Sequence, residues 1–133
     1  MIGLAPRWPA LTAAVEADRR EVAGWITDAD VHVVGATAAD RFAFDDDALL
    51  ALVRAARGPC PPRALFHSHP DGRAALSAAD RAAWAPTGVP LHPWPQLVIA
   101  TRGGRACDAA LFSWTACLAR YRRADDGGWR EAR

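Results

Sequence analysis

Two histidines separated by one residue, His67 and His69, open the segment HSHPDGRAALSAAD, which ends at Asp80. The chain has only four histidines and places two of them at this spacing. On a β-strand, side chains at positions i and i+2 point to the same face, so both imidazoles can approach one ion while Ser68 points into the protein body. Two imidazoles and one carboxylate form a common ligand set of open catalytic zinc sites. The segment therefore predicts a metal site formed by His67, His69 and Asp80.

The residues between the histidines and Asp80 favour a reversal of the chain. Pro70 biases His69 toward extended backbone, and the Asp-Gly pair that follows is typical of a turn. A helix that begins at Ser77 would then return over the histidines. Ser77 and Asp80 also have a purely structural interpretation, because Ser followed three residues later by an acid resembles a helix capping box.

A metal site that activates water also needs a base, and the chain has three glutamates, Glu16, Glu21 and Glu131. Glu16 belongs to the polar face of a predicted helix, and Glu131 belongs to a polar C-terminal segment. Glu21 opens a β-rich run, EVAGWI, in which a glycine three residues later permits close approach of the backbone. Glu21 is therefore the best base candidate, although taken alone it would be interpreted as a solvated residue at a strand end.

The rest of the pattern indicates the elements that would position these residues. A first helix is predicted over residues 9–20, followed by two β-rich runs, 21–27 and 31–37, around a turn. The second helix is DDALLALVRAAR, with a run of three aspartates, Asp45 to Asp47, at its head and GPCPP at its end. A strand over residues 63–69, the helix from Ser77 and two strands around an Arg-Gly-Gly-Arg turn follow. The pattern predicts an α+β fold, with a mixed, mostly antiparallel sheet flanked by two to three helices.

The combination of E-x-x-G on an early strand with H-S-H-P-x-G-x-x-x-x-S-x-x-D resembles the JAMM metallopeptidase family, whose domains are also called MPN⁺ or JAB domains. The order of the predicted elements is similar as well, and the resemblance covers about residues 10–114. It implies a single JAMM/MPN-type domain with a cytidine-deaminase-like fold over residues 1–114. Residues 115–133 are interpreted as a polar, weakly ordered C-terminal tail.

The resemblance implies a role for each matching residue. His67, His69 and Asp80 would bind one Zn²⁺ ion per chain. Glu21 would act as general base toward the attacking water and then as general acid toward the leaving amine. Ser77 would donate a hydrogen bond to the oxyanion. Because every one of these positions is present, the resemblance is to catalytic members of the family and not to inactive scaffold copies.

The resemblance also implies a substrate class. Similar minimal prokaryotic members hydrolyse the amide bond at the C-terminal glycine of ubiquitin-like proteins, in deconjugation or in precursor maturation. The expected partner is the C-terminal tail of a ubiquitin-like or sulfur-carrier protein, with activating or conjugating enzymes as associated partners. The alternatives are a sulfur-carrier peptidase that releases cysteine or a matured carrier, a DNA-associated protein of the RadC type, and a non-catalytic MPN-type interaction module.

Aromatic residues near the signature are candidates for the wall of a substrate groove. Trp94, which lies between two prolines, is the best candidate, whereas Phe66 and Trp84 are expected in the core. His92 is interpreted as a surface residue and not as a further ligand, because a lone loop histidine is more often at the surface.

Length and composition limit the class of protein. A chain of 133 residues forms one domain with its own core. The net charge of +1 argues against a nucleic-acid partner. Arginines outnumber acids in residues 61–133, which would suit an acidic partner, although a solvated surface is the simpler interpretation. Three scattered cysteines favour neither a disulfide framework nor a thiolate zinc site, and no stretch approaches transmembrane length. We therefore expect a cytoplasmic protein that does not bind membranes.

Overall fold

The computed structural model describes residues 3–37 and 46–132. Its strands are β1 (Glu21–Ile26), β2 (Val31–Thr37), β3 (Ala64–Pro70), β4 (Gln96–Arg102), β5 (Arg105–Phe112), β6 (Cys117–Arg123) and β7 (Trp129–Ala132). Its helices are α1 (Trp8–Glu16), α2 (Asp46–Ala56) and α3 (Ala78–Trp84), with a 3₁₀ turn over Ala5–Arg7 before α1. Within these ranges, no helix has both the length and the apolar character needed to cross a membrane.

All seven strands form one sheet in the order β2-β1-β3-β4-β5-β6-β7. Neighbouring strands are antiparallel except β3 and β4, which run parallel. A parallel pair needs a crossover connection that passes over one face of the sheet. Here the crossover contains α3 and therefore places the beginning of this helix above β3. The predicted α+β fold, with its mixed, mostly antiparallel sheet and flanking helices, is confirmed.

The two faces of the sheet have different coverings. On one face, α1 packs on a core cluster that includes Leu11, Val15, Phe66, Ile99 and Leu111. On the other face, α2 contributes Leu52, which packs against Trp25 of β1 and Leu65 of β3. Because side chains alternate along a strand, His67 and His69 share the face of Leu65. Ser68 points to the α1 face, as predicted, and its Oγ accepts a hydrogen bond of 2.9 Å from the backbone N–H of Val22.

The first helix is shorter than the sequence pattern predicts, ending at Glu16. The Asp18 carboxylate accepts hydrogen bonds from the backbone N–H and the guanidinium of Arg20. A short polar side chain that captures a nearby backbone N–H competes with continuation of a helix. Of the aspartates expected at the start of α2, Asp46 and Asp47 belong to the helix, whereas Asp45 lies outside the described residues.

The prediction of a weakly ordered tail after residue 114 is wrong, because residues 117–123 and 129–132 form the strands β6 and β7. Trp129 of β7 stacks on Trp8 of α1 with ring centroids 4.3 Å apart, and its indole N–H donates to Thr12 Oγ1 at 2.9 Å. Tyr121 of β6 contacts the same Trp8 ring edge-on at 5.1 Å. The sequence of this segment is polar because arginines occupy the face of β6 and β7 opposite to Tyr121 and Trp129. They obscure the alternation of apolar and polar residues that indicates a strand.

Candidate metal centre

Three ligand atoms of the predicted site lie close together on the face opposite α1. The Nε2 atoms of His67 and His69 are 3.1 Å apart. Asp80 Oδ2 lies 3.2 Å from the first and 3.1 Å from the second. Tetrahedral zinc with bonds of about 2.0 Å separates its ligand atoms by roughly 3.3 Å. The donor set and its spacing therefore fit a zinc ion held by His67, His69 and Asp80.

Glu21 belongs to the same group, in which the ligand atoms of all four residues lie within 4.8 Å of one another. Antiparallel pairing of Ala23 with His67 brings the first residue of β1 beside His69, on the same face of the sheet. The residue is 4% exposed, so the alternative interpretation of Glu21 as a solvated strand end is wrong. A buried carboxylate next to a metal-binding triad is well placed to exchange a proton with a water molecule.

Gly24 permits the close packing of strands that holds Glu21 in place. A Cβ atom added at this position would lie 1.9 Å from the carbonyl oxygen of His32 on β2 and 2.9 Å from the ring of Phe66 on β3. The pairing of β1 with β2 also shifts register between Ala23 and Gly24, as in a β-bulge. The predicted close backbone approach at this glycine is confirmed.

Ser77 and Asp80 form a capping box at the start of α3. Ser77 Oγ accepts a hydrogen bond of 3.0 Å from the backbone N–H of Asp80, and Asp80 Oδ2 accepts one of 2.9 Å from the backbone N–H of Ser77. The same Oδ2 atom faces both histidines. The capping and metal-binding interpretations are therefore compatible, because the cap fixes the rotamer that aims Asp80 at His67 and His69. Since Ser77 Oγ accepts in the cap, its O–H can still donate to another group.

The electrostatics of the site favour the protonation states that metal binding requires at Asp80 and His67, whereas His69 is shifted toward its protonated form. Burial opposes ionisation of Asp80, but hydrogen bonds from His67, His69 and the Ser77 backbone N–H hold the pKa of Asp80 well below its usual range. Burial lowers the pKa of His67 and so favours its neutral imidazole. Burial acts in the same direction on His69, but bonds to Asp80 and to the Arg73 carbonyl outweigh it and raise the pKa of His69.

The backbone carbonyl of Arg73 is a supporting group that the sequence analysis missed. The Nδ1–H of His69 donates to this oxygen at 2.8 Å, which turns Nε2 of the same ring toward Asp80. Metal-binding histidines commonly donate their second ring N–H to such an acceptor. Every residue has a backbone carbonyl, so this acceptor cannot be predicted from residue types. It is seen only in the conformation of the turn after β3.

A mostly apolar cavity of about 450 Å³ adjoins the metal centre. His67 and Asp80 belong to its lining, together with other residues of β3, α2 and α3 and of the segment 91–96. Trp94, the predicted groove residue, lines this cavity. Phe66 and Trp84 are buried, as predicted, and also contribute to the wall.

The expectation that His92 is a surface residue is wrong. Its ring lies beside Trp84 and Trp94, with centroid distances of 5.3 and 5.4 Å, and it lines the same cavity. Burial lowers the pKa of His92 to about 4. The signal available in the sequence was the three prolines and one tryptophan that surround His92 in PLHPWP, since a histidine among such residues is easily enclosed.

Comparison with known proteins places the chain in a family. Residues 10–117 match the family model described as prokaryotic homologs of the JAB domain, and the chain belongs to this family. The resemblance drawn from the sequence is thereby confirmed. No curated protein matches the chain.

A solved structure supports the fold. The solution structure of a protein from Desulfitobacterium hafniense is 21% identical, with a TM-score of 0.51, and the match covers 93% of this chain and 83% of that one. A protein from Salinibacter ruber is 18% identical, with coverage of 94% and 86%, but its TM-score is 0.39. The first of these shows that the architecture described above is shared with a known structure.

Proposed function

We propose that the protein is a zinc metallopeptidase that hydrolyses the amide bond at the C-terminal glycine of a ubiquitin-like protein, in deconjugation or precursor maturation. The triangle of donor atoms on His67, His69 and Asp80, with the buried carboxylate of Glu21 beside it, carries the proposal. Membership of the JAB-domain family supports it.

His67, His69 and Asp80 would hold one zinc ion per chain. When bound, zinc supplies Lewis acidity, which lowers the pKa of a water molecule toward about 7 and polarises a carbonyl oxygen. Glu21 takes the proton of the attacking water as general base and delivers it to the leaving amine as general acid. Its burial excludes competing solvent, and the pairing of β1 with β3 places it on the same face as the two histidines.

Ser77 donates its O–H to the oxygen that becomes negatively charged when the amide carbonyl is attacked. The capping box supports this role, because it fixes the Ser77 backbone and uses the hydroxyl oxygen only as an acceptor. A preorganised donor of this kind contributes about 3 kcal/mol to transition-state stabilisation in other hydrolases.

The cavity that adjoins the metal centre would receive the extended C-terminal tail of the substrate. Trp94 would contact the tail, since it lines the same cavity as His67 and Asp80. The neighbouring exposed apolar side chains Leu49, Val53 and Leu91 extend this wall toward the surface. A peptide bound there would reach the zinc ligands with its terminal carbonyl.

The test combines zinc content with cleavage. Wild type, Glu21→Ala and His69→Ala would be given ubiquitin-like carriers with a linear C-terminal extension, a lysine conjugate or a cysteine adduct. We expect both substitutions to abolish cleavage, whereas only His69→Ala loses stoichiometric zinc. Normal cleavage by Glu21→Ala, or a wild type without zinc, would refute the mechanism. Full zinc binding without cleavage of any carrier would support a non-catalytic module instead.

A further inference from the structure

A second cavity, of about 280 Å³, lies on the same side of the sheet as the metal centre. Its lining includes four arginines, Arg73, Arg102, Arg120 and Arg122, and a single acidic residue, Asp108. We call it the arginine cavity. It shares no lining residue with the apolar cavity beside the metal centre, so it is a separate feature of this face.

The register of the sheet relates the arginine cavity to the metal centre. His67 pairs with Val98, Val98 with Ala110, and Ala110 with Arg120. The next row runs in the same way from His69 through Ala100 and Asp108 to Arg122. Cross-strand partners lie on one face, and three strand spacings amount to roughly 14 Å. Arg120 and Arg122 therefore share a face with the two histidines at a distance that one bound protein can span.

Arg73 belongs to both regions. Its backbone carbonyl accepts the hydrogen bond from His69, while the residue also lines the arginine cavity. The short segment after β3 thus separates the metal centre from the arginine cavity, and the two are adjacent parts of one surface.

The charge of the arginine cavity is poorly compensated by its own lining. Asp108 Oδ1 lies 3.6 Å from Arg122 Nε, and its Oδ2 lies 4.0 Å from a guanidinium nitrogen of Arg102. One carboxylate among four guanidinium groups leaves three positive charges in excess on the lining. The Arg102 and Arg122 side chains are 69% and 77% exposed, so they are accessible to a partner. The surplus of arginine in residues 61–133 is thus concentrated beside the metal centre.

We propose that the arginine cavity docks an acidic segment of the protein substrate. The inference rests on the proposed function, since the docked protein is the one whose scissile bond reaches the metal centre. The guanidinium groups come from the turn after β3, the end of β4 and strand β6, so several separated carboxylates can contact them together, each in the bidentate geometry that arginine favours. Asp108, in the middle of the set, would repel a single compact dianion. Such complementarity accelerates encounter and fixes the orientation of a partner.

Binding of a fluorescently labelled decaglutamate peptide tests the proposal without requiring catalysis. The full zinc-treated protein would be compared with Arg120→Gln/Arg122→Gln and with a matched control, Arg54→Gln/Arg57→Gln, which removes two exposed charges at α2. We expect the first pair of substitutions to weaken binding by roughly five- to tenfold at low salt and the control to leave it unchanged. Equal weakening in both variants, no binding by wild type, or stronger competition by inorganic phosphate than by chloride at equal ionic strength would overturn the proposal.

Kinetics provide the second arm of the test. If wild type cleaves a carrier, Arg120→Gln/Arg122→Gln should raise KM several-fold with little change in kcat, and added salt should remove the difference from wild type. A lower kcat at unchanged KM would contradict docking. If wild type cleaves no carrier, the proposed peptidase function fails, while the peptide-binding comparison still decides whether the arginine cavity binds acidic chains.

Discussion

At the scale of single residues, Asp80 combines three contacts through one oxygen atom. Its Oδ2 accepts the Ser77 backbone N–H and faces the Nε2 atoms of His67 and His69. The cap fixes the side chain before any ion binds, so the metal centre gains preorganisation from an ordinary feature of helix starts. Ser77 makes the other hydrogen bond of the capping box. Its Oγ accepts the backbone N–H of Asp80, and its O–H remains available as the donor in the proposed reaction.

Ser77→Ala separates these two roles. Loss of the cap acceptor should reduce the free energy of unfolding by about 1 kcal/mol, measured in urea. Loss of the O–H donor should reduce kcat by about 100-fold, while zinc remains stoichiometric. Ser77→Thr, which keeps both the acceptor and the donor, is the control and should remain close to wild type in both measurements. A kcat of Ser77→Ala equal to that of wild type would exclude the oxyanion role.

His92 makes a prediction about pH. Its folded-state pKa of about 4 lies below the value of about 6.5 expected in the unfolded chain. Between these pH values the unfolded state binds more protons at His92 than the folded state does. The contribution of His92 to the unfolding free energy is therefore constant above about pH 6.5 and decreases as the pH falls toward 4. His92→Phe keeps an aromatic ring beside Trp84 and Trp94 but cannot be protonated.

The measurement is thermal unfolding of metal-depleted wild type and His92→Phe at pH 7.5 and pH 5. The unfolding temperature of His92→Phe relative to that of wild type should be higher at pH 5 than at pH 7.5. His67 and Asp80, which line the same cavity, are present in both proteins, so their titration cancels in the comparison. A difference in unfolding temperature that does not change with pH would show that His92 is not shielded as described.

At the scale of elements, the site depends on two features of strand arrangement. The parallel pairing of β3 with β4 requires the crossover that brings α3 over the histidines. The tight contact among β1, β2 and β3 at Gly24 brings Glu21 to the same place. Both features act at a distance from the candidate ligand atoms, and a change in either moves Glu21 relative to His67, His69 and Asp80.

Gly24→Ala tests the second feature. The new methyl group would overlap the backbone carbonyl of His32, which cannot move as a side chain can, so β1 and β2 must separate. We expect a loss of about 3 kcal/mol in unfolding free energy and a decrease in kcat larger than the decrease in zinc binding, because Glu21 lies on the displaced strand. Gly58→Ala is the matched control, since its Cβ would meet only ordinary contacts of 3.5 Å and beyond. Equal effects of the two substitutions would contradict the packing argument.

At the scale of the whole molecule, the two ends of the described chain pack together on the face opposite the metal centre. Trp129 of β7 lies on Trp8 of α1, and Tyr121 contacts the same ring. This cluster joins the C-terminal strands to the core that α1 covers. The α1 face therefore contributes stability, while the opposite face carries the metal centre, the apolar cavity and the arginine cavity.

Trp129→Ala should accordingly affect stability and leave the metal centre intact. Loss of the stacked, partly buried ring and of its bond to Thr12 should reduce the unfolding free energy by about 3 kcal/mol, measured in urea. Zinc stoichiometry should not change in the folded protein. Trp129→Phe, which keeps a smaller stacked ring and loses the hydrogen bond, should cost less than Trp129→Ala but at least about 1 kcal/mol. Loss of zinc from the folded Trp129→Ala protein would refute the separation of the two faces.

The parts of the candidate site formed by residues close together in sequence could be predicted from the sequence. The spacing of His67 and His69 needs only the two-residue period of a strand, and the spacing of Ser77 and Asp80 needs only the first turn of a helix. The order of strands and helices as far as β5 followed from the same short-range patterns. Glu21 could be selected because the chain has few glutamates and because Gly24 follows it at the family's spacing.

The remaining features depend on contacts between residues distant in sequence, which local patterns do not encode. The burial of Glu21 results from the pairing of β1 with β2 and β3, and the enclosure of His92 from the packing of a proline-rich loop against α3. The strands β6 and β7 pair with the sheet and pack against α1 through Trp129 and Trp8, although their arginines resemble a solvated tail. Those same arginines become one charged cavity only when the register of β4, β5 and β6 aligns them. The sequence by itself therefore determined the candidate ligand residues and the elements as far as β5. Tertiary packing decided burial, the C-terminal strands and the charge of the surface around the site, because each of these depends on neighbours that only the fold brings together.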